Sequence, residues 1–163
     1  MTEPQVTGLR SIEYNVPDLA KTSHFYELCW GLKKVAEEDG KNYFRATGAE
    51  HHIVVLHQGG KASVNRVNFA AADSANVDAL HAKLSGLGIT TDGDPKNISG
   101  PGGGYGFGFT DRDGLNYAVS SDMATHSNTA MEGDRPFKLS HVVLNSNKVE
   151  DQTDFYRDVL GFR

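Results

Sequence analysis

A short sequence pattern occurs twice in this chain, 130 positions apart. FYELCWGL fills residues 25–32, and FYRDVLGF fills residues 155–162. Each copy follows an apolar segment that is typical of a β-strand, at 9–16 and at 139–146. A repeated strand–helix unit indicates a duplicated structural module, so we expect the chain to be built from similar units in series.

The repeat also aligns one pair of polar residues that differ. At the same offset of 130 positions, Ser11 of the first copy corresponds to His141 of the last one. A serine does not have the metal-binding or acid–base chemistry of a histidine. The difference therefore predicts a functional group in the later copy that the first copy lacks.

Turn-forming residues divide the first 120 residues into two units of the same order. Residues 7–60 predict a strand at 9–16, a helix at 19–30 and three short strands, and residues 64–120 repeat the β-α-β-β-β pattern. We therefore expect an α+β fold in which paired βαβββ modules form a curved, mostly antiparallel sheet with the helices outside.

The rest of the chain differs from these modules in composition. Residues 121–136 are polar and show no periodicity, which predicts a linker. Residues 137–163 predict only the first strand and helix of a further module. We accordingly predict an N-terminal domain at 1–120, a linker, and the beginning of an incomplete second domain.

Charge and composition exclude several kinds of partner. Sixteen Lys and Arg residues against 21 Asp and Glu give a net charge of −5, and no basic run offsets it, so we expect no nucleic-acid partner. No segment is long and apolar enough for a membrane span or a signal peptide, which predicts a cytoplasmic protein without a membrane partner. The one cysteine, Cys29, aligns with Val159 and is expected to be a small buried residue.

Three motifs, in order, give this chain a family resemblance. They are VPDLAKTSHFYELCWGL at 16–32, HHIVVL at 51–56 and FGFTDRDGLNYAV at 107–119. Together they resemble the vicinal oxygen chelate superfamily of glyoxalases and extradiol dioxygenases. The layout, with a linker near residue 130, is most similar to the N-terminal part of a type I extradiol ring-cleavage dioxygenase that ends early in the catalytic domain.

That resemblance implies a metal site outside the first two modules. In such enzymes the C-terminal modules bind Fe(II) through two histidines and a glutamate, and His141 matches the first of these ligands. The other two would lie beyond Arg163, so we expect no catalytic residue and no tightly bound metal within this chain. The full protein would add O₂ to a small aromatic diol and would form a homo-oligomer, with residues 138–163 at the interface.

The matching ligand positions of the first two modules hold other residues. Ser11 and Ala118 occupy them, and neither side chain is a suitable ligand for a divalent metal. His51 and His52 are adjacent on a predicted strand, so their side chains are expected to point to opposite faces and not to share a metal. We therefore predict no metal between these two modules.

Two other functions remain open from the sequence. The chain could be a non-catalytic module whose cleft binds a small aromatic or hydrophobic molecule, with five aromatic residues as candidate lining: Tyr14, Tyr43, Phe69, Tyr105 and Phe107. It could also belong to a metal-dependent glyoxalase-type isomerase or thiol transferase. That function would need ligands in the first two modules, against which Ser11 and Ala118 argue.

Overall fold

Both modules fold in the predicted order in the computed structural model, which describes residues 3–162. The first module contains β1 (Gly8–Val16), α1 (Leu19–Leu28), β2 (Lys33–Glu38), β3 (Lys41–Arg45) and β4 (Val54–Gln58). The second contains β5 (Ser63–Ala70), α2 (Ser74–Gly86), β6 (Thr90–Thr91), β7 (Lys96–Asn97), β8 (Tyr105–Thr110) and β9 (Asn116–Ser121). A third helix, α3 (Val149–Asp154), continues as a π-helical turn over Phe155–Val159.

The nine strands found within residues 3–162 form one open sheet, in which the two modules have the same internal arrangement. The order is β2-β3-β4-β1-β5-β9-β8-β6, and β7 also pairs with β8. The first and last long strands of each module pair in parallel, β1 with β4 and β5 with β9, whereas β1 and β5 join the modules in antiparallel pairing. The predicted class, an α+β fold with a curved, mostly antiparallel sheet and external helices, is confirmed.

The second module departs from a strict β-α-β-β-β order at the sheet edge. β6 and β7 pair with successive parts of β8, so they are one edge strand interrupted between them. Asp92 lies in the interruption, where its backbone N–H donates to the Gly108 carbonyl (2.9 Å) and its side chain accepts from the Gly108 N–H (2.8 Å). The carboxylate thus takes over part of the strand pairing, which permits the break.

The hydrophobic core lies between the sheet and the two long helices. Ile12, Leu56 and Tyr117 on the strands pack with Leu80 and Leu84 of α2, and all five are buried. Both helices begin at an aspartate, because Asp18 accepts from the Lys21 N–H (2.9 Å) and Asp73 accepts from the Asn76 N–H (2.8 Å).

Helix α1 buries less of its apolar surface than the sequence predicts. It ends at Leu28, before the expected end at Trp30, and Leu28 is 70% exposed. Cys29 lies at the cap and is exposed, so the prediction of a buried cysteine is wrong. The buried side of this helix instead includes Ser23, which accepts a hydrogen bond from the Asn42 amide (2.8 Å).

Residues 121–136 run along the first module without a helix, and only Ser121 belongs to a strand, as the last residue of β9. Backbone hydrogen bonds hold the segment, from His126 to Ala49 (2.8 Å) and from Thr47 to Pro136 (3.0 Å). Arg45 adds a side-chain hydrogen bond to Asn128 (3.0 Å). The predicted linker is therefore anchored along its length.

The segment 138–145 does not form the expected strand. It has no pairing with any of the nine described strands, and a strand needs a neighbour with which to exchange backbone hydrogen bonds. The helix that follows does form, and it packs on the outer face of the second module. There Leu160 is fully buried and its carbonyl accepts from the Val6 N–H (2.9 Å).

Because β8 and β9 approach closely at Gly106, we expect any larger residue at this position to destabilise the fold. A Cβ atom on this residue would overlap the Val119 carbonyl oxygen and press on Ser120. We expect Gly106→Ala to lower the free energy of unfolding by about 1–3 kcal/mol, as overpacking does. Urea denaturation measures this, with Gly133→Ala as the matched control, since a Cβ on Gly133 meets nothing within 4 Å. Equal stability of the two variants would contradict the close packing.

Candidate functional site

A groove of about 420 Å³ lies on the side of the sheet away from the main core. Its floor is formed by the central strands, with Ser11 and Glu13 from β1 and Arg66 and Asn68 from β5. Because successive side chains of a strand point to opposite faces, the same strands supply the core through residues such as Ile12.

Hydrogen bonds connect the polar residues of the floor. Glu13 Oε2 lies 2.7 Å from His57 Nε2, and Glu13 Oε1 accepts from the Asn68 amide at 3.0 Å. The same Asn68 nitrogen lies 3.0 Å from Ser11 Oγ. Four side chains from β1, β4 and β5 are thereby fixed relative to one another.

This arrangement keeps Glu13 ionised. Burial raises the pKa of Glu13, but hydrogen bonds from His57 and Asn68 and the charge of Arg66 together outweigh burial, so the pKa lies below its ordinary value. At neutral pH the carboxylate is an acceptor with both oxygens already engaged. These contacts fix its position on the floor.

The two arginines of the floor differ in their partners. Arg10 is buried and donates through Nη1 to Glu50 (2.7 Å) and through Nη2 to the Ser120 carbonyl (3.3 Å). Among the described residues Arg66 makes no hydrogen bond and no salt bridge, and its Nε atom is buried without a partner. Arg66 lies opposite Glu13 in the pairing of β1 and β5 and interacts with it through its charge, without a direct hydrogen bond.

A cluster of three histidines, His51, His52 and His126, lies beside the groove, and His52 is the one of the three that lines it. His51 and His52 precede β4, which begins at Val54, so strand alternation does not separate them. Their Nδ1 atoms lie 3.0 Å apart, and the His51 ring stacks on His126 with centroids 5.6 Å apart. The prediction that they point to opposite faces is wrong, because it assumed a strand that starts too early.

Burial determines the protonation of this cluster. Burial, with the neighbouring His51 as a lesser cause, lowers the pKa of His52 to about 4. Burial and the proximity of His126 lower the pKa of His51 as well. At neutral pH His52 is uncharged, which permits one of the two facing Nδ1 atoms to accept a hydrogen bond from the other.

The groove does not have the ligands of a metal site. Ser11 offers a hydroxyl that is already hydrogen-bonded, and Ala118 offers only a methyl group. Among residues 3–162, no group of three or more His, Cys, Asp or Glu side chains is arranged to hold a metal ion. The described residues therefore do not fit a metal by themselves.

His141 lies away from the groove, on the opposite side of the sheet. It is exposed, its Nδ1 lies 3.0 Å from Ser140 Oγ, and it borders a second hollow of about 590 Å³ between the sheet and the C-terminal segment. This hollow is mainly apolar, with Leu9, Val67 and Phe69 among its lining residues. His141 is thus in an apolar environment and is accessible.

The structure divides the five predicted aromatic lining residues between several places. Tyr43 lines the groove, and Phe69 lines the second hollow. Phe107 borders the groove, but its ring packs against His81 of α2 on the core side, with centroids 4.9 Å apart. Tyr14 packs against the core, and Tyr105 donates its hydroxyl to Asp78 (2.8 Å) at the surface. The polar floor was not anticipated as a site, although its residues alternate with apolar ones along β1 and β5, which is the signal that could have located it.

The matches to known proteins assign the chain to a family. The family model of the Glyoxalase/Bleomycin resistance protein/Dioxygenase superfamily matches residues 8–119, which is more than half of the chain. The chain belongs to this superfamily. A search of curated protein sequences returned no match.

Solved structures of the superfamily resemble nearly the whole chain. The Mn(II)-bound glyoxalase from Novosphingobium aromaticivorans is 38% identical with a TM-score of 0.93, over 98% of this chain and 54% of that one. Homoprotocatechuate 2,3-dioxygenase from Arthrobacter globiformis is 25% identical with a TM-score of 0.83, over 100% of this chain and 52% of that one. For an extradiol ring-cleaving dioxygenase from B. fuscum the values are 24% and 0.86, over 99% and 46%.

The length of the chain limits what the superfamily membership says of it. It spans only about half the length of these structural relatives. In the part of the chain that the structure describes, no helix has both the length and the apolar character needed to cross a membrane.

Proposed function

We propose that this chain is the N-terminal part of a cytoplasmic, Fe(II)-dependent extradiol-type dioxygenase. Residues 1–120 would form its N-terminal domain, 121–136 a linker and 137–163 the start of the catalytic domain. The main support is that the fold resemblance to homoprotocatechuate 2,3-dioxygenase extends over 100% of this chain, including the C-terminal segment, at 25% identity.

In this proposal His141 is one of three metal ligands. It corresponds to Ser11 in the repeat. It is also exposed and lies next to an apolar hollow, as expected for a ligand whose fellow ligands would belong to other modules. The other ligands would come from outside residues 3–162, which do not fit a metal alone. Fe(II), when bound, would provide a site where the diol and O₂ come together.

The overall reaction would join one catechol-type diol with one molecule of O₂. The ring carbon–carbon bond next to the diol breaks, and both oxygen atoms remain in the product. The N-terminal domain would contribute a rigid support for the catalytic domain, since its own ligand positions hold Ser11 and Ala118.

One observation favours a second function, a metal-dependent glyoxalase-type isomerase. The chain is 38% identical to the Mn(II)-bound glyoxalase from Novosphingobium aromaticivorans, a higher identity than to the dioxygenases described above. Such an enzyme would rearrange an α-ketoaldehyde adduct of a thiol without consuming O₂.

The full-length protein, loaded anaerobically with Fe(II) or with Mn(II), separates the two functions. We expect O₂ uptake and a ring-opened product with catechol, with both atoms of ¹⁸O₂ in that product. Disappearance of an α-ketoaldehyde–glutathione adduct without O₂ uptake would instead support the isomerase. Absence of both activities in a metal-loaded, folded protein would contradict both proposals.

The role of His141 is tested by metal retention as well as by activity. We expect His141→Ala in the full-length protein to lose the bound iron and ring cleavage together, because one of three ligands is removed. His24→Ala is the matched control, since His24 is exposed on α1. Full iron content in the His141→Ala protein after desalting would show that His141 is not a ligand.

We also propose that the protein forms a homo-oligomer. Phe25 and Leu28 on helix α1 and Trp30 just after it are exposed at 49, 70 and 50% of their surface, and an exposed apolar patch of this kind is typical of an interface. The C-terminal segment packs on its own chain, so α1 replaces it as the expected contact. Sedimentation of the wild type and of Leu28→Glu tests this, and a monomeric wild type would refute it.

A further inference from the structure

Residues 138–145 carry His141 but pair with none of the described strands, so the sheet does not set their position. Both ends of this stretch, which we call the His141 segment, are instead bonded to the N-terminal domain. We propose that two anchors, one on each module, hold the His141 segment in a single position, with Gly48 and Asp111 as positioning residues. The relevance of that position to a metal site rests on the proposed function, whereas the anchors themselves do not.

The first anchor lies just after β3 and joins the first module to the start of the His141 segment. The Thr47 N–H donates to the Pro136 carbonyl (3.0 Å), and the Gly48 N–H donates to the Phe137 carbonyl (2.9 Å). The Thr47 hydroxyl adds a longer bond to the Pro136 carbonyl (3.3 Å). The two backbones approach so closely that a Cβ atom on Gly48 would overlap the Phe137 carbonyl oxygen. The chain therefore enters the segment at a fixed point.

The second anchor is the turn between β8 and β9, at 111–114, which contacts the end of the segment. Asp113 accepts a hydrogen bond from the Ser146 hydroxyl (2.5 Å), and Ser146 directly follows the segment. The same Ser146 oxygen accepts from the Lys148 N–H (2.9 Å), just before α3. The turn thus holds the chain where it leaves the segment.

Asp111 extends the second anchor to α3. Its side chain is buried, and Oδ1 accepts from the Asp113 and Leu115 N–H groups within the turn (2.9 and 2.8 Å). Oδ2 accepts from the Gln152 amide of α3 (3.1 Å) and from the Tyr117 hydroxyl (3.2 Å). One carboxylate thereby bonds both its own turn and the helix that follows the segment, and hydrogen bonds to a carboxylate are stronger than those between neutral groups.

The packing between the two anchors does not fix the segment by itself. Leu139, Val142 and Leu144 pack against the core, whereas Val143 is 81% exposed. Apolar contacts of this kind are not directional, so they permit the segment to slide along the sheet. Hydrogen bonds have defined lengths and angles, and those at both ends remove this freedom. His141 is therefore expected to keep one position beside the hollow that it borders.

Pulsed electron paramagnetic resonance on the 163-residue chain measures this position without metal or activity. Spin labels on Ala79→Cys and Val143→Cys, both at exposed positions, report the distance from α2 to the segment in a Cys29→Ala background. Dilution with unlabelled chain removes any contribution from an oligomer. We expect one narrow distance distribution. A broad distribution in the folded chain would refute the proposal.

Substitutions at the anchors test the cause, while the melting temperature reports folding. Gly48→Ala displaces Phe137 and should broaden the distribution by about twofold or more, whereas Gly133→Ala should not, since a Cβ there meets nothing within 4 Å. Gln152→Glu places a second carboxylate against Asp111 and should broaden it as well. Adding Asp111→Asn to Gln152→Glu supplies an amide donor to the new carboxylate and should restore the narrow distribution, which a general loss of stability would not do. Unchanged widths in Gly48→Ala and Gln152→Glu, or a broadening that Asp111→Asn does not reverse, would refute the proposal.

Iron release from the full-length protein tests the consequence for His141. We expect Gln152→Glu to lose Fe(II) to a chelator about tenfold faster than the wild type, as other changes outside the ligands do. The Asp111→Asn/Gln152→Glu protein should return to the wild-type rate. Equal rates in all three proteins would overturn the link between the anchors and the metal site. A wild type that binds no iron would contradict the dioxygenase function and not the anchors, which the distance measurement decides.

Discussion

Replacing Tyr117 with alanine is expected to lower the free energy of unfolding by about 3–5 kcal/mol, the range for a buried aromatic residue. Tyr117 on β9 is 1% exposed. Its ring stacks between Phe69 and Phe109, with centroid distances of 5.7 and 5.1 Å. Truncation would leave a cavity between two rings that belong to different strands. The movement of one side chain cannot fill this cavity, so the lost packing energy is not recovered.

The hydroxyl of Tyr117 gives this residue a second role, in holding the C-terminal segment. It lies 2.6 Å from the Tyr156 hydroxyl and donates to Asp111 at 3.2 Å. Burial, with the Tyr156 contact, raises the pKa of Tyr117 far above its ordinary value, so the hydroxyl stays protonated. The segment is thus fixed to the second module by a buried polar contact as well as by apolar packing.

Tyr117→Phe isolates the hydroxyl from the ring. We expect a loss of about 1–2 kcal/mol, since Tyr156 loses a buried partner, together with faster proteolysis after residue 137. Tyr105→Phe is the control on the neighbouring strand, because its hydroxyl bonds Asp78 at the exposed surface. Chemical denaturation and limited proteolysis measure the two effects. Equal stability and equal protection of both variants would mean that the hydroxyl does not hold the segment.

The repeated order of strands and helices was predictable from the sequence. Apolar periodicity located β1, α1, α2, β8 and β9 within a few residues, and turn residues separated them. The family motifs supplied the pairing of the modules, which periodicity does not determine. This part succeeded because local propensity and the global fold agree along these segments.

The failures occurred where a contact distant in sequence decides the structure. Cys29 was expected to be buried by analogy with Val159, yet α1 ends one residue earlier and leaves the sulfur exposed. His51 and His52 were assigned to a strand that begins only at Val54. Segment 138–145 has strand-like alternation but no neighbour to pair with.

Only part of the candidate site could be predicted from the sequence. Ser11 and Ala118 could be identified as empty ligand positions, because the repeat and the family register define them. The polar network on the groove floor could not be predicted from the sequence. The contact of Glu13 with His57 spans 44 positions and depends on the parallel register of β1 and β4. The position of Arg66 opposite Glu13 is likewise a property of the assembled sheet.

Lowering the pH is expected to remove about 3 kcal/mol of stability through His52 alone. The pKa of His52 falls from 6.5, the ordinary value for a solvent-exposed histidine, to about 4 in the folded protein, with burial as the main cause. His51 and Arg10 nearby oppose a positive charge, and Glu13 favours it only in part. The His52 ring also packs edge-on against Tyr43, with centroids 5.1 Å apart, and this contact contributes to its burial.

The direction follows from which state takes up the proton first. Above pH 6.5 His52 is neutral in both states and its contribution to stability is fully present. Between pH 6.5 and about 4 only the unfolded chain binds the proton, so the free energy of unfolding decreases, and below about 4 the loss is complete. Glu13, whose pKa lies below 4.5, adds a further loss only at lower pH.

Urea denaturation at several pH values measures this contribution. We expect His52→Gln, which does not titrate, to have a flatter stability profile between pH 6.5 and about 4 than the wild type. His24→Gln should keep the wild-type slope, because His24 is exposed on α1. If His52→Gln retained the full slope in this interval, the acid sensitivity would have to come from another group, and the neutral histidine pair beside the groove would not be the stabilising form.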